Sequence, residues 1–225
     1  MMNRLALILL LAWTAPFARG QEADTTHFPV GRGMEVLLTN SGFGVGGFVS
    51  ARLGALSLWR IEAGIGSVKN EREVAFFDRF GGRDVPNKAN YLLELPVQVG
   101  VERRPFASRI EADFRPFVSL AAGPVLGWMY PYYDDENENG TLDTGEPTHD
   151  VISGLPRGSL RTGVAVSAHF GARFGPLSRP GYGVRFGYRM TRYRTAISLI
   201  DASIQPAQRR FGSPVITVYF GRLGR

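Results

Sequence analysis

The chain has 225 residues, no cysteine and a formal net charge of +6 at pH 7. Its length suits one domain with a substantial core, and the lack of cysteine excludes a disulfide scaffold, a thiolate metal site and a lipid-acylated cysteine. Arginine supplies most of the basic residues, but these are scattered singly through apolar segments. Because a phosphate-tracking surface would cluster them, the sequence argues against nucleic-acid binding.

The first twenty residues have the layout of a secretory signal peptide. Arg4 provides the positive start, an apolar stretch covers 5–12, and Ala18-Arg19-Gly20 places small residues before the cleavage point. That stretch is too short to span a bilayer as a helix, and no later stretch approaches about eighteen consecutive apolar residues. We therefore predict a signal peptide over 1–20, cleaved near Gly20, an N-terminal segment over 21–33, and a folded domain over 34–225.

The rest of the chain alternates between two kinds of side chain with a period of two, as strands with unlike faces do. Between residues 159 and 174, one face carries apolar residues such as Val164 and Phe170, while the other carries Arg161 and Arg173. The same alternation predicts eight strands, at 34–40, 43–54, 57–68, 90–102, 115–130, 159–174, 182–193 and 214–221.

The connections between these strands alternate in length. Those after the second, fourth and sixth strands are short (55–56, 103–114 and 175–181), and those after the third, fifth and seventh are long (69–89, 131–158 and 194–213). Only the first connection on the long side, 41–42, is short. Short turns at one end and long loops at the other are typical of outer-membrane β-barrels.

The alternative is a soluble sandwich or lipocalin-like barrel, in which the apolar face would be a core. The opposite face, however, is mainly Gly, Ala and Ser with isolated charges, and lacks the lysine-rich polarity of a soluble surface. Aromatic residues also gather at the predicted strand ends, as in an interfacial girdle. They are Tyr91, Trp128, Tyr130, Tyr132, Tyr133, Tyr188 and Tyr193.

In signal peptide, strand spacing and loop asymmetry, the chain resembles the small eight-stranded outer-membrane β-barrel proteins, also described as porin-like. The resemblance covers nearly the whole mature chain and is architectural, without a specific motif. It implies an all-β fold, an eight-stranded antiparallel up-and-down transmembrane β-barrel with long extracellular loops. It also implies a monomer in contact with the lipid of the bacterial outer membrane. In that family the chain ends on an aromatic residue, whereas here Phe220 is followed by 221–225.

If the apolar faces contact lipid, the charged faces meet inside the barrel. The predicted interior residues are Glu35, Arg52, Arg60, Glu62, Glu94, Glu102, Arg161, His169, Arg173, Arg185 and Arg189. Buried charges must pair, and eight strands leave an interior that side chains fill. We therefore predict a plug of ion pairs in preference to an open pore.

One loop carries a calcium-binding pattern, so that 131–158 is interpreted as a calcium-loop insertion. The predicted ligands are Asp135, Asn137, Asn139, Thr141, Asp143 and Glu146. They occupy positions one, three, five, seven, nine and twelve of an EF-hand-type loop, with Gly140 at the sharp turn. No helices flank this stretch, so the resemblance is to the loop alone, as in dockerin-like extracellular repeats. An acidic surface loop without a metal ion is the alternative.

Ser167 and His169 share one strand face and resemble the His/Ser pairs of outer-membrane lipid A deacylases. Their order is reversed, and the alternation points both residues inward, so we assign no catalytic residue. The leading hypothesis is a non-enzymatic outer-membrane barrel with a structural or surface-interaction role, a calcium-stabilised extracellular loop and an extracellular ligand that the sequence does not identify. A narrow solute pore is the first alternative, and a lipid-modifying outer-membrane enzyme is the second.

Overall fold

The structure is a computed structural model, which describes residues 31–70, 72–73, 76–77, 83–105, 113–135, 146–175 and 180–222. Its strands are β1 (Gly31–Thr39), β2 (Gly42–Gly54), β3 (Ser57–Val68), β4 (Phe76–Phe77), β5 (Arg83–Asp84), β6 (Asn90–Arg103), β7 (Phe114–Pro131), β8 (Ser159–Phe174), β9 (Gly181–Ile197) and β10 (Gln208–Arg222). A single 3₁₀ turn, Leu155–Arg157, precedes β8 among these residues. In the described ranges no helix is long and apolar enough to cross a membrane.

Eight of these strands form a closed antiparallel barrel. Each pairs with its neighbours in chain order, β3 pairs with β6, and β10 pairs with β1 to complete the ring. In the closing pair, Met34 lies opposite Phe220 and Val36 opposite Val218. The short strands β4 and β5 pair only with each other, within the β3–β6 connection. The predicted eight-stranded, up-and-down antiparallel barrel is thereby confirmed.

The predicted strand bounds differ most at β10, β9 and β1, and β9 ends at Ile197 and not at 193. β10 begins at Gln208 and not at 214, because Arg209 and Arg210 interrupt the apolar alternation while the backbone continues to pair with β9. β1 begins at Gly31, so the predicted N-terminal segment over 21–33 includes its first three residues. These residues, Gly-Arg-Gly, include no apolar side chain, so the alternation of apolar and polar residues does not mark them as part of a strand.

The outer face of the barrel is apolar and exposed, as the alternation predicts. The exposed residues include Val36, Leu38, Val45, Ile61, Ile65, Val99, Leu120, Leu126, Val164, Val166, Phe170, Phe186, Met190, Ile216 and Phe220. They occur on all eight barrel strands. A water-soluble protein rarely exposes a continuous apolar surface of this extent, whereas a bilayer requires one.

The connections fall at two ends of unlike character. The loop end carries 40–41, 69–89, 132–158 and 198–207, and the turn end carries 55–56, 104–113 and 175–180. At the loop end, the connections pair with one another: the Ala89 amide donates to the Leu199 carbonyl at 3.0 Å, and the Asp201 amide to the Asn87 carbonyl at 2.8 Å. Lys88 adds a buried ion pair with Glu73 at 2.6 Å. The loops therefore fold back over the barrel mouth.

Candidate functional site

The centre of the barrel holds a network of four buried charges. Arg60 contacts the Glu35 carboxylate at 2.6 Å and the Glu62 carboxylate at 2.9 Å. Arg185 contacts the same two carboxylates, at 3.1 Å and 2.7 Å respectively. Each arginine thus bridges both glutamates, and two positive charges balance two negative ones. We call these four residues the charge ring. The predicted pairing of the inward charges is confirmed here, since buried charges are tolerated only when they are paired.

Two further ion pairs lie to either side of the charge ring. Arg173 contacts Glu102 at 2.7 Å, with both side chains almost fully buried. Arg189 lies 4.0 Å from Glu94, whose other carboxylate oxygen accepts a hydrogen bond from the Tyr193 hydroxyl at 3.1 Å. The lumen is therefore crossed by paired charges at more than one level.

An aromatic cluster supports the charge ring from the same interior face. Phe48 and Tyr219 make an edge contact with centroids 5.7 Å apart, and Phe117 packs beside Tyr219 at 6.5 Å. The Arg60 guanidinium lies 3.7 Å from the centre of the Phe48 ring, a cation–π distance. A side chain at Gly183 would overlap the Tyr219 ring, so this glycine makes room for it. Sequence reasoning missed these aromatics, although each has the inward parity of its strand.

One predicted interior residue, Arg52, is placed differently, and a second, Arg161, lacks the expected ion pair. Arg52 is exposed, and its Nε donates to the Gly54 carbonyl at 3.2 Å, because it lies at the end of β2 where the chain turns out of the lumen. Arg161 faces inward but makes no ion pair with any residue in the described ranges. The strand register places Gly127 between Arg161 and Glu94, and the Tyr193 ring packs over that glycine.

Ser167 and His169 point into the barrel, as predicted. Both are buried, and the Ser167 hydroxyl donates to the Gln98 side-chain oxygen at 3.2 Å. His169 lies beside Gly187, where an added side chain would overlap its ring. The barrel wall thus separates this pair from the exterior surface, where a lipid substrate would lie.

The lumen contains a small cavity next to the charge ring. A cavity of about 30 Å³ lies beside Glu35, Glu62 and Glu94 at the loop-end side of the charge ring. Such a volume has room for about two water molecules. The arrangement favours a plugged barrel over a conducting one.

The predicted aromatic girdle is wrong for four of its members. Tyr130, Tyr132, Tyr133 and Tyr193 are at most 7% exposed and fill the loop end of the barrel. Tyr193 belongs there to an apolar cluster at the mouth, formed by Leu92, Val125, Ala165, Tyr193, Ile197 and Leu199. Because the loops fold back over the mouth, tyrosines at strand ends turn inward to pack against them.

The base of the predicted calcium loop is a short antiparallel ladder. Tyr133 pairs with Thr148, and the Asp134 amide donates to the Pro147 carbonyl at 3.0 Å. Continuing that register places Asp135 opposite Glu146, the first and last predicted ligands. The predicted ligands Asn137, Asn139, Thr141 and Asp143 lie outside the described residues. Among the residues that are described, no group of three or more acidic or histidine side chains could hold a metal ion.

Side chains fix this ladder to the barrel rim. The Asp134 carboxylate accepts hydrogen bonds from Arg157 and from His149, the latter at 3.0 Å. These hydrogen bonds hold the pKa of the Asp134 carboxyl below its usual value. The Trp128 indole donates to the Leu155 carbonyl at 2.9 Å, and the Tyr91 hydroxyl to the His149 carbonyl at 3.2 Å. The two ends of the loop are therefore held together and in place.

No protein-family model matches the sequence, and no curated protein matches it. Among solved structures, Neisserial surface protein A is similar over 87% of this chain and 97% of its own, with a TM-score of 0.43 and 10% identity. Ail, the attachment invasion locus protein of Yersinia pestis, solved in complex with the heparin analogue sucrose octasulfate, is similar over 86% and 94%, with a TM-score of 0.34 and 10% identity. At this level of similarity, the barrel assignment rests on the strand pairing of the chain itself.

Proposed function

We propose that the protein is a bacterial outer-membrane β-barrel with a plugged lumen, which acts without enzymatic activity in envelope structure or in contact with an extracellular ligand. The observation that carries the proposal is the inversion of an ordinary fold: apolar side chains cover the exterior, and paired charges fill the interior. The signal peptide predicted over 1–20 supports export, and the loop end would then face outside.

The spacing of charges along β10 supports a membrane-spanning position. Arg210 and Arg222 face outward, and the outward residues between them include Ile216, Val218 and Phe220. The two arginines are about twelve residues apart, or roughly 40 Å of strand at 3.3 Å per residue. At a typical tilt of ~40°, this corresponds to roughly 30 Å along the barrel axis, the thickness of a bilayer's hydrocarbon core.

The plug leads us to expect a barrel that inserts into membranes but conducts no ions. The protein should fractionate with outer membranes, and its folded form should migrate differently on gels with and without heating. In planar bilayers, the purified protein should give no stepwise conductance, because the charge ring and the apolar cluster at the mouth cross the lumen. Recovery as a soluble periplasmic protein would contradict the membrane assignment. Regular conductance steps would favour the narrow-pore alternative.

We further propose that the 135–146 loop binds calcium at the cell surface. Ion ligands at positions one and twelve must approach one another, and the ladder register favours such an approach of Asp135 and Glu146. Calcium prefers oxygen ligands of the carboxylate, amide and carbonyl kinds that this stretch supplies. The carboxylate of Asp134, just before the first predicted ligand, accepts hydrogen bonds from Arg157 and His149, which fix the start of the loop at the barrel rim.

Calorimetric titration should detect calcium binding with a dissociation constant on the order of 10⁻⁴ to 10⁻³ M, the range of extracellular modules. The substitution Glu146→Gln should weaken this binding most, because the residue at position twelve normally supplies both carboxylate oxygens. Glu73→Gln is the matched control, since Glu73 lies in a different loop and pairs with Lys88. Absence of calcium heat in the wild type, or equal binding by Glu146→Gln, would mean that the loop is an acidic turn without a metal site.

A further inference from the structure

Two arginines lie directly opposite each other on the outer surface of the barrel. The register of β9 and β10 pairs Arg192 with Arg210. Both are exposed and have the outward parity of their strands, the same as Met190 and Ile216. Arg194, two residues further along β9, is exposed on the same face. Arg192 and Arg194 lie on β9 and Arg210 lies on β10. We call these three residues the arginine patch.

No acidic side chain of the described residues balances the charge of the arginine patch. None of its members makes an ion pair with a residue of the described ranges. On the other side of β9, Arg192 pairs with Val164 of β8, which offers no countercharge. Like charges directly opposite on neighbouring strands repel each other and destabilise the pair. The part of the chain that the structure describes therefore supplies no anion for these facing arginines.

The position of the arginine patch on the barrel indicates which kind of anion would bind to it. Immediately toward the turn end, on the same outward face, lie Met190 and Tyr188, which are 53% and 49% exposed. The Tyr188 hydroxyl reaches over Gly212 toward the arginines, so that an added side chain at this glycine would overlap it. The patch thus lies where the apolar exterior ends, at the loop end. The corresponding outward face of β7 and β8 carries Leu126, Trp128 and Leu160 and no arginine.

We infer that the arginine patch binds the phosphate-bearing headgroup of a lipid in the outer leaflet, a conclusion that rests on the outer-membrane position proposed above. Guanidinium groups bind phosphate oxygens with paired hydrogen bonds, and two facing arginines can share one phosphate. Tyr188 and Met190 lie where the first carbons of the acyl chains would pack. The bound phosphate would also remove the repulsion between Arg192 and Arg210.

The test uses the full mature chain folded in detergent micelles and measures its affinity for diphosphoryl lipid A. The double substitution R192Q/R210Q should weaken binding about tenfold or more, because charge-assisted contacts to phosphate are lost. The matched control is R32Q/R222Q, which removes the other outward cross-strand arginine pair, at the turn end. This control should bind lipid A as the wild type does. Lipid A stripped of its phosphates should bind the wild type about tenfold more weakly or worse.

Inorganic phosphate, titrated alone, separates a lipid site from a general phosphate site. It should show no saturable binding in the millimolar range, because it lacks the acyl chains that contact the apolar exterior. Saturable phosphate binding that disappears in R192Q/R210Q would overturn the lipid assignment. Equal lipid A binding by wild type and R192Q/R210Q, in a barrel with normal heat-dependent gel mobility, would overturn the site alone. Failure of the wild type to insert into micelles or membranes would overturn the outer-membrane assignment and the lipid site with it.

Discussion

Replacing Arg185 by alanine is expected to lower the free energy of unfolding of the barrel by about 3–5 kcal/mol, the cost of removing one partner of a buried ion pair. The substitution leaves Glu35 and Glu62 with Arg60 as their one remaining cation in the ring, so the buried network acquires a net negative charge. Urea unfolding of the protein in lipid vesicles, followed by tryptophan fluorescence, gives the comparison with the wild type.

Arg209→Ala is the control for this experiment, because Arg209 is exposed and makes no ion pair with a residue of the described ranges. Its loss should change the free energy of unfolding little. The double substitution R185A/E62Q removes a charge of each sign and should recover part of the stability that R185A loses. Equal effects of Arg185→Ala and Arg209→Ala would mean that the inner and outer faces of β9 are assigned incorrectly.

Tyr219→Ala should lower the free energy of unfolding by a comparable amount, about 3–5 kcal/mol, as for other buried aromatic residues replaced by alanine. The Tyr219 side chain is fully buried, packs on Phe48 and Phe117, and lies within 5.0 Å of the Arg60 guanidinium. Its removal leaves a cavity that the strands of a closed barrel cannot collapse to fill. The same urea unfolding measurement applies.

The neighbouring residue provides a matched control. Phe220 follows Tyr219 on β10 but points outward and is 53% exposed. Phe220→Ala removes an aromatic ring of similar size without leaving an internal cavity, so its effect on the free energy of unfolding should be clearly smaller. If both substitutions destabilise the barrel equally, the aromatic cluster does not support the charge ring in the way described above.

The fold could be predicted from sequence because a membrane barrel repeats one local rule on every strand. On β8, Val164 and Phe170 face outward and alternate with Arg161 and Arg173, which face inward. The other barrel strands show the same alternation of an apolar outer face and a polar inner face. The alternation of short and long connections then indicated an up-and-down barrel. Alternation failed where β10 extends toward the loops: Arg210 stands there on the outward face, and only the backbone pairing with β9 marks the strand.

The details of the lumen could not be predicted, because they depend on which inward side chains meet across the barrel. Sequence parity placed Arg161 and Arg185 on the inner face alike, but Arg185 reaches two carboxylates while Tyr193 stands between Arg161 and Glu94. The tyrosines at the strand ends were misjudged for a related reason. Their direction is set by loops that fold over the mouth, and no local pattern records this.

The charge ring draws its members from strands that are far apart in the chain: Glu35 lies on β1, Arg60 and Glu62 on β3, and Arg185 on β9. The contact between Arg185 and Glu35 spans 150 residues. A chain with β1 to β8 in place and its last two strands missing would hold both glutamates against a single arginine of the ring. The charge ring becomes neutral only when β9, which carries Arg185, has joined the barrel. Because an unpaired buried charge is costly, the network stabilises the closed barrel relative to any arrangement of the chain that lacks β9.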